Sequence, residues 1–327
     1  MSTARQLIAL LKTHVRGDEE EFLSIAMQVA AREARLGHSQ VAEEIRKLID
    51  TAKAKTSPSV QRQAGSVVVL QPRGELANLV SIQQPTIRLS SITLPEDTAN
   101  RLRRVILEYR QQKRLRDHGL HSRRKLLFIG PPGTGKTMTA TGLAGELHLP
   151  LFTILLEGVI TKFMGETAAK LRVIFDSIAR EHGIFLFDEF DAIGARRTHG
   201  NDVGEIRRVL NSFLQFLEND QSESLIIAAT NHSDLLDRAL FRRFDDVIEY
   251  RLPDEKMALT IIRSRLTQFH VTDFDWAVVA SEASGLSQAD LTRASDDAAK
   301  DAVLRESQAV RMPDLLSALR ERKRANN

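Results

Sequence analysis

Apolar residues recur along this chain with two periods, and the change from one to the other divides it. From residue 1 to about 56 the spacing is helical. Leu7, Ile8, Leu11 and Val15 share one face of a first helix, and Phe22, Ile25, Ala26 and Val29 share a face of a second over Asp18 to Leu36. A third helix runs from Ser39 to Asp50 with Val41, Ile45, Leu48 and Ile49 inward. Acids open the second helix where its positive end favours them, Gly37 stops it, and Ser39 caps the third. The stretch from Thr56-Ser57-Pro58-Ser59 to Gly65-Ser66 has linker composition, so 1–56 reads as a separate helical module suited to docking.

Residues 57–92 read as linker followed by a short β segment, with strands at Val67 to Leu70 and Thr86 to Ile92 separated by Pro72, Gly74 and Pro85. Pro95 to Arg116 predicts a helix with Leu102, Val105, Ile106 and Tyr109 inward. The pattern then alternates between short apolar runs and amphipathic helices. Strands are expected at Lys125 to Ile129, Leu151 to Leu155, Ile184 to Glu189 and Leu225 to Thr230. Helices are expected at Met138 to His148, Glu166 to His182 and Glu205 to Glu218.

Composition narrows the class. A chain of 327 residues suggests two or three domains, and 42% hydrophobic with 27% charged residues is globular usage. No apolar run approaches the roughly 20 residues that span a bilayer. The N-terminus lacks the pattern of a secretory signal, so a cytoplasmic location is expected. The absence of cysteine excludes disulfides and thiolate chemistry. The net charge of +3 is a mild bias, but between Arg101 and Lys125 there are 10 Lys or Arg residues and only two acids. A solvated helix face or a subunit boundary is the commoner cause of such a run, with nucleic-acid contact the alternative.

The chemistry centres on Gly130-Pro131-Pro132-Gly133-Thr134-Gly135-Lys136-Thr137, which fits G-x-x-x-x-G-K-[ST] between a predicted strand and a predicted helix. Glycines let backbone N–H groups curl round a phosphate, and the helix N-terminus adds partial positive charge. Lys136 is placed to reach the β- and γ-phosphates and Thr137 to ligate Mg²⁺. Further on, the strand from Ile184 ends in Asp188 and Glu189, the complement that a phosphate loop needs. Asp188 is expected to hold Mg²⁺ and Glu189 to polarise the attacking water. Leu225 to Thr230 delivers Asn231 to a strand's C-terminal end, where ligands of doubly wound sheets sit.

Gly130 to Thr137, Phe187-Asp188-Glu189-Phe190-Asp191, Ala229-Thr230-Asn231 and Arg242-Arg243-Phe244-Asp245, in this order, resemble the AAA+ ATPases and, within them, the AAA family of ring-forming protein remodellers. The resemblance covers about 115 to 320. It implies an α/β fold: a doubly wound parallel sheet domain over 93–253 and a small C-terminal helical lid over 254–327, to which the residue pattern adds the separate N-terminal helical domain over 1–56. It also implies assembly into homo-hexamers with ATP at the subunit interfaces. Arg242 and Arg243 fall where the family carries arginine fingers, in an Arg-Arg-Phe form similar to that of katanin and spastin; either arginine fits the role. Asp117-His118-Gly119-Leu120 resembles the stretch that receives adenine, which implies ATP, and Met138 follows the phosphate loop directly. Gly285 and Ala289 lie in a segment similar to the one that closes on the nucleotide, with Gln288 where many members have Gly. Lys162-Phe163-Met164-Gly165 resembles the pore loop with which related rings grip polypeptide.

The expected function is therefore an ATP- and Mg²⁺-dependent motor that threads or remodels protein. A nucleic-acid-associated ATPase, such as a helicase loader, or a regulatory switch is the alternative. The chain holds no H-E-x-x-H site, no cysteine nucleophile and no G-x-S-x-G motif, so any proteolysis must come from a partner. Its layout is similar to that of bacterial AAA ATPases encoded beside subtilisin-like serine peptidases.

Overall fold

The computed structural model describes residues 76, 78–159, 164–193, 203–232, 238–271 and 274–326, within the compact unit Val67–Asn327. The helices expected over 1–56, the linker, the strand Val67 to Leu70, and Lys162 and Phe163 of the expected pore loop lie outside the described residues.

Six strands form one sheet: β1 (Val80–Gln83), β2 (Lys125–Ile129), β3 (Leu151–Ile154), β4 (Ile184–Phe187), β5 (Leu225–Thr230) and β6 (Asp246–Glu249). Their spatial order is β1-β3-β4-β5-β2-β6. β1 runs antiparallel to β3 along the edge, and the remaining pairings are parallel. The central strands are apolar apart from Lys125 and Thr230 at their ends, because both faces are covered. Leu127, Phe185, Phe187, Ile226 and Ala228 face Leu171, Ile174 and Phe175 of helix α5 (Met164–Arg180) and Phe213 of α6 (Val203–Asn219). Their sequence neighbours Leu126, Phe128, Leu186, Ile227 and Ala229 face Leu102, Val105 and Ile106 of α1 (Glu96–Arg110) and Ala140, Leu143 and Ala144 of α3 (Lys136–Leu147). Alternation along each strand thus builds two cores, with each fully buried Leu, Ile or Phe contributing about 1.5–3 kcal/mol.

Two sequence expectations change. Thr86 to Ile92 is not a strand: Leu89–Ser91 forms a 3-10 turn, and the strand of this region is β1. The apolar side chains of that segment instead seat it on α3, where a Cβ on Gly145 would stand 2.0 Å from the Ile87 carbonyl oxygen. Backbone lying that close to a helix has no strand partner. The helix expected from Pro95 to Arg116 is divided at Gln111 into α1 and α2 (Gln112–Asp117).

Short helices α4 (Leu156–Val159) and α7 (Arg238–Phe241) complete the α/β part. The C-terminal part has a core of its own, built by Ile262 of α8 (Glu255–Arg265), Val279 of α9 (Trp276–Ala283), Leu291 and Ala294 of α10 (Gln288–Leu304), and Leu315 and Leu319 of α11 (Met312–Asn326). Asp254, Asp275 and Ser287 cap the first three of these helices. A parallel pair, β7 (His270–Val271) with β8 (Ala309–Val310), joins the loops.

Much of the basic run is paired inside the chain. Arg101 pairs with Asp246, Arg116 with Glu223 and Arg124 with Asp220. Arg104 meets Glu108 at 2.7 Å, Arg110 meets Glu146 at 3.3 Å, and Arg123 reaches both Glu108 and Asp246. Among the described residues no helix is long and apolar enough to cross a membrane.

Candidate active site

The parallel strands bring the chemistry to one edge. Ile129 pairs with Thr230 and Phe187 with Ala228, so Gly130, Asp188 and Asn231 each begin just past a strand's C-terminal end. The phosphate loop, 130–135, runs from β2 into α3, with Gly135 as the helix's N-terminal cap. Gly130 has φ +146, and a Cβ there would stand 2.1 Å from the Tyr250 carbonyl oxygen, so only glycine lets the loop leave β2 beside β6.

The loop is held by its own groups. Thr134 is buried and its Oγ1 donates to the Pro131 carbonyl at 2.8 Å. Lys136, 6% exposed, donates from Nζ to the carbonyls of Gly130 and Pro131 at 2.7 and 2.8 Å. Burial lowers its pKa from the ordinary lysine value, and the charges of Asp188 and Asp191 oppose that shift. A phosphate in the loop would offer this ammonium a charged acceptor in place of two carbonyls. Pro132 and Met138 are exposed at the rim.

Thr137 Oγ1 donates to Asp188 Oδ2 at 2.6 Å, which brings a hydroxyl and a carboxylate oxygen together at the head of α3. Two hard oxygen donors beside a phosphate cradle fit Mg²⁺, which completes its shell with water and phosphate. Asp188 Oδ1 accepts from the Glu189 backbone N–H at 3.0 Å. Glu189 is exposed and left-handed at φ +50, a strained conformation for a residue other than glycine. Phe190, fully buried with its ring centroid 4.7 Å from that of Phe213, anchors the turn that follows. Asn231 opens onto a cavity of about 740 Å³ shared with Gly130, Pro131, Pro132, Glu249 and Arg251.

The C-terminal helices reach the loop directly. The Ala289 backbone N–H donates to the Gly133 carbonyl at 3.0 Å. Gly133 has φ +72, and a Cβ there would meet Ser287 Oγ at 2.5 Å and Ala289 Cβ at 3.2 Å. We expect Gly133→Ala to weaken nucleotide affinity, because its Cβ pushes the segment at Ser287 and Ala289 off the loop, and to lower stability by the roughly 1–2 kcal/mol of a left-handed alanine. Titration with a labelled nucleotide, alongside a thermal melt, checks this; an unchanged Kd rejects it.

Other sequence candidates lie further out. His118 and Gly119 form the turn that ends α2, with His118 exposed and Gly119 at φ +71. Gly285, at φ +81, turns the chain between α9 and α10. Met164 starts α5, and Gly165 is exposed in its first turn. Arg243 is paired with Glu218 near the end of α6, whereas Arg242 is exposed and has no ion pair among the described residues. Asp191 was not singled out from the sequence, although it stands in the quoted acidic motif. Its Oδ1 accepts from Thr230 Oγ1 at 3.0 Å and from the Asn231 backbone N–H at 3.3 Å.

A family model described as "ATPase family associated with various cellular activities (AAA)" matches residues 126–252, the segment carrying the phosphate loop, the acid pair, Asn231 and both arginines. An uncharacterized AAA family ATPase, y4kL, of Sinorhizobium fredii is 32% identical over 94% of this chain and 92% of its own length. The chain belongs to the AAA family of ATPases. It binds nucleotide and hydrolyses ATP. This AAA ATPase is also 33% identical to the proteasome-activating nucleotidase of Sulfurisphaera tokodaii, over 85% of the chain and 75% of the relative. Its match to the ATP-dependent zinc metalloprotease FtsH 3 of Sphaerobacter thermophilus, at 32% identity, spans 76% of the chain but 52% of that relative. The crystal structure of the FIGL-1 AAA domain shares the fold, with a TM-score of 0.59 at 23% identity over 74% of this chain and 85% of that one.

Proposed function

We propose that this AAA ATPase works as a ring of six copies, with ATP and Mg²⁺ bound between neighbours, and uses the cycle to unfold and thread protein substrates. The observation that carries the reading is the distance, within one chain, between the phosphate loop and the arginine pair. The Asp245 backbone N–H donates to the Lys125 carbonyl at 2.8 Å, and its carboxylate accepts from the Arg124 and Lys125 N–H groups at 2.9 Å. This pins the segment after Arg243 to the start of β2, while Gly130 follows its end. The five residues of β2 span about 16 Å at ~3.3 Å each, further than an arginine side chain extends. Arg242 and Arg243 therefore do not reach the phosphates of their own chain, and in this reading they serve a neighbouring copy; Arg251, which lines the cavity beside the loop, is paired with Glu249.

In this reading the loop N–H groups and Lys136 bind and orient the phosphates, and Thr137 and Asp188 hold Mg²⁺. When bound, Mg²⁺ neutralises charge on the phosphate oxygens. Glu189 takes the proton of the attacking water, Asn231 orients that water or the γ-phosphate, and an arginine of the neighbour stabilises the charge on the transferring group. His118, Gly119, Gly285 and Ala289 frame the base and ribose.

The names of the relatives favour protein over nucleic acid as the substrate, and the ion pairs along α1 and α2 occupy many of the charges that nucleic acid would need. With no H-E-x-x-H site in this sequence, any peptide hydrolysis would fall to a separate partner, of the subtilisin-like serine class in the layout that this chain resembles. Phe163, whose role rests on the sequence, grips the polypeptide.

The test follows ATP hydrolysis and loss of a folded fluorescent substrate together. Unfolded polypeptide should stimulate hydrolysis and DNA should not. Phe163→Ala should consume ATP while the substrate stays folded. Stimulation by DNA alone, or unchanged substrate processing by Phe163→Ala, removes the threading reading. Failure of the candidate peptidase to co-purify removes only the partner.

A further inference from the structure

Glu189 and Asn231 follow the ends of different strands, and each needs fixing relative to the same phosphate. Neither is fixed by its own strand. β4 ends at Phe187, two residues before Glu189, and β5 ends at Thr230. Beyond those ends the backbone is free of the ladder, and Glu189 is held in a left-handed conformation that a flexible turn would abandon.

Two anchors follow Glu189 directly. Phe190 is apolar and sunk into the core against Phe213, which sets the depth of the turn. Asp191 is the polar anchor: a single oxygen, Oδ1, takes the Thr230 hydroxyl at 3.0 Å and the Asn231 backbone N–H at 3.3 Å. The Thr230 hydroxyl in turn accepts from the His232 backbone N–H at 3.1 Å, so three successive residues at the end of β5 hang on this one contact. Hydrogen bonds to a charged acceptor are the stronger and more directional kind.

We infer that Asp191 is a positioning residue for hydrolysis: through one carboxylate oxygen it locks the turn that carries Glu189 to the end of the strand that carries Asn231. It holds general base and sensor at a fixed separation and acts through them. The inference rests on the roles proposed above for Glu189 and Asn231. Because a misplacement of about 1 Å can cost 10²-fold in rate without costing affinity, the lock should be read in turnover. Asp191 has a second effect, since its charge also faces the ammonium of Lys136. Asparagine removes that charge and keeps the acceptor, which separates the two.

The experiment measures kcat for ATP and Kd for a labelled ATP analogue in full-length variants, with thermal melts as the folding control. Asp191→Ala should lower kcat about 10–100-fold, the usual effect of losing a group that orients a catalytic one, with Kd within about threefold of wild type. Asp191→Asn should recover most of that loss. Thr230→Val, which deletes one donor and leaves Asp191 in place, should lower kcat part of the way at unchanged Kd, and it serves as the test where Asp191→Ala does not fold.

A kcat near wild type in both Asp191→Ala and Thr230→Val overturns the inference, as does a parallel loss of kcat, affinity and melting temperature in Asp191→Asn. Glu189→Gln is the companion arm. If it turns over normally, the site reading itself fails. If it is inactive while Asp191→Ala is normal, only the role of Asp191 fails.

Discussion

Glu189→Gln is expected to bind ATP as tightly as the native chain and to hydrolyse it about 10²–10⁴ times more slowly, the usual worth of a positioned general base. The amide matches the carboxylate in shape but cannot accept the proton of the attacking water. Binding should be spared because Glu189 takes no part in the cradle. Thr134 and Lys136 bond within the loop, Thr137 bonds to Asp188, and the lid bonds to Gly133. The strained backbone at Glu189 argues the same way. A left-handed glutamate costs of order 1–3 kcal/mol and persists where the surroundings over-determine it, as Phe190 and Asp191 do here. Labelled-ATP titration and single-turnover hydrolysis separate the two effects. Turnover within tenfold of wild type, or a matching loss of affinity, would remove Glu189 from its role.

The parts of this molecule that were legible in its sequence are those whose physics is local. β5 starts with its apolar run and passes it by one residue, Thr230, because both faces of Leu225 to Ala229 are buried. The phosphate loop was legible because each fixed residue type answers to one requirement of the cradle. β1 was not: it has four residues on an antiparallel edge, and its partner Leu151–Ile154 lies about seventy positions on, so its pairing leaves no local signature. Thr86 to Ile92 misled because its apolar side chains serve a packing contact with the glycines of α3. Asp191 was visible as a letter in the acidic motif, but its donors come from residues 230 and 231 and their approach is set by the parallel β4–β5 pairing.

The arginine pair shows the same limit, and here the structure separates two residues that the sequence leaves equivalent. Arg243 is engaged with Glu218 of its own chain, whereas exposed Arg242 has no such partner among the described residues. A guanidinium that must act on a neighbouring copy has to leave its own chain. Arg243 would first break an exposed ion pair, worth at most about 1 kcal/mol, whereas Arg242 has none to break among the described residues. Arg242→Ala is therefore expected to lower kcat by about 10³-fold or more, within the range measured for arginine fingers, while Arg243→Ala has the smaller effect. If the finger acts in trans, as proposed, the loss should be rescued in trans. A Lys136→Ala chain supplies an intact Arg242 but no competent phosphate loop, and an Arg242→Ala chain supplies the reverse. Mixing the two inactive chains should place whole sites at some interfaces and restore part of the activity. Specific activity of the native chain should also rise with protein concentration as copies assemble. Full activity in a dilute sample shown by sedimentation to be monomeric, or no gain on mixing chains that demonstrably co-assemble, would place the whole site within one chain and exclude Arg242 from it.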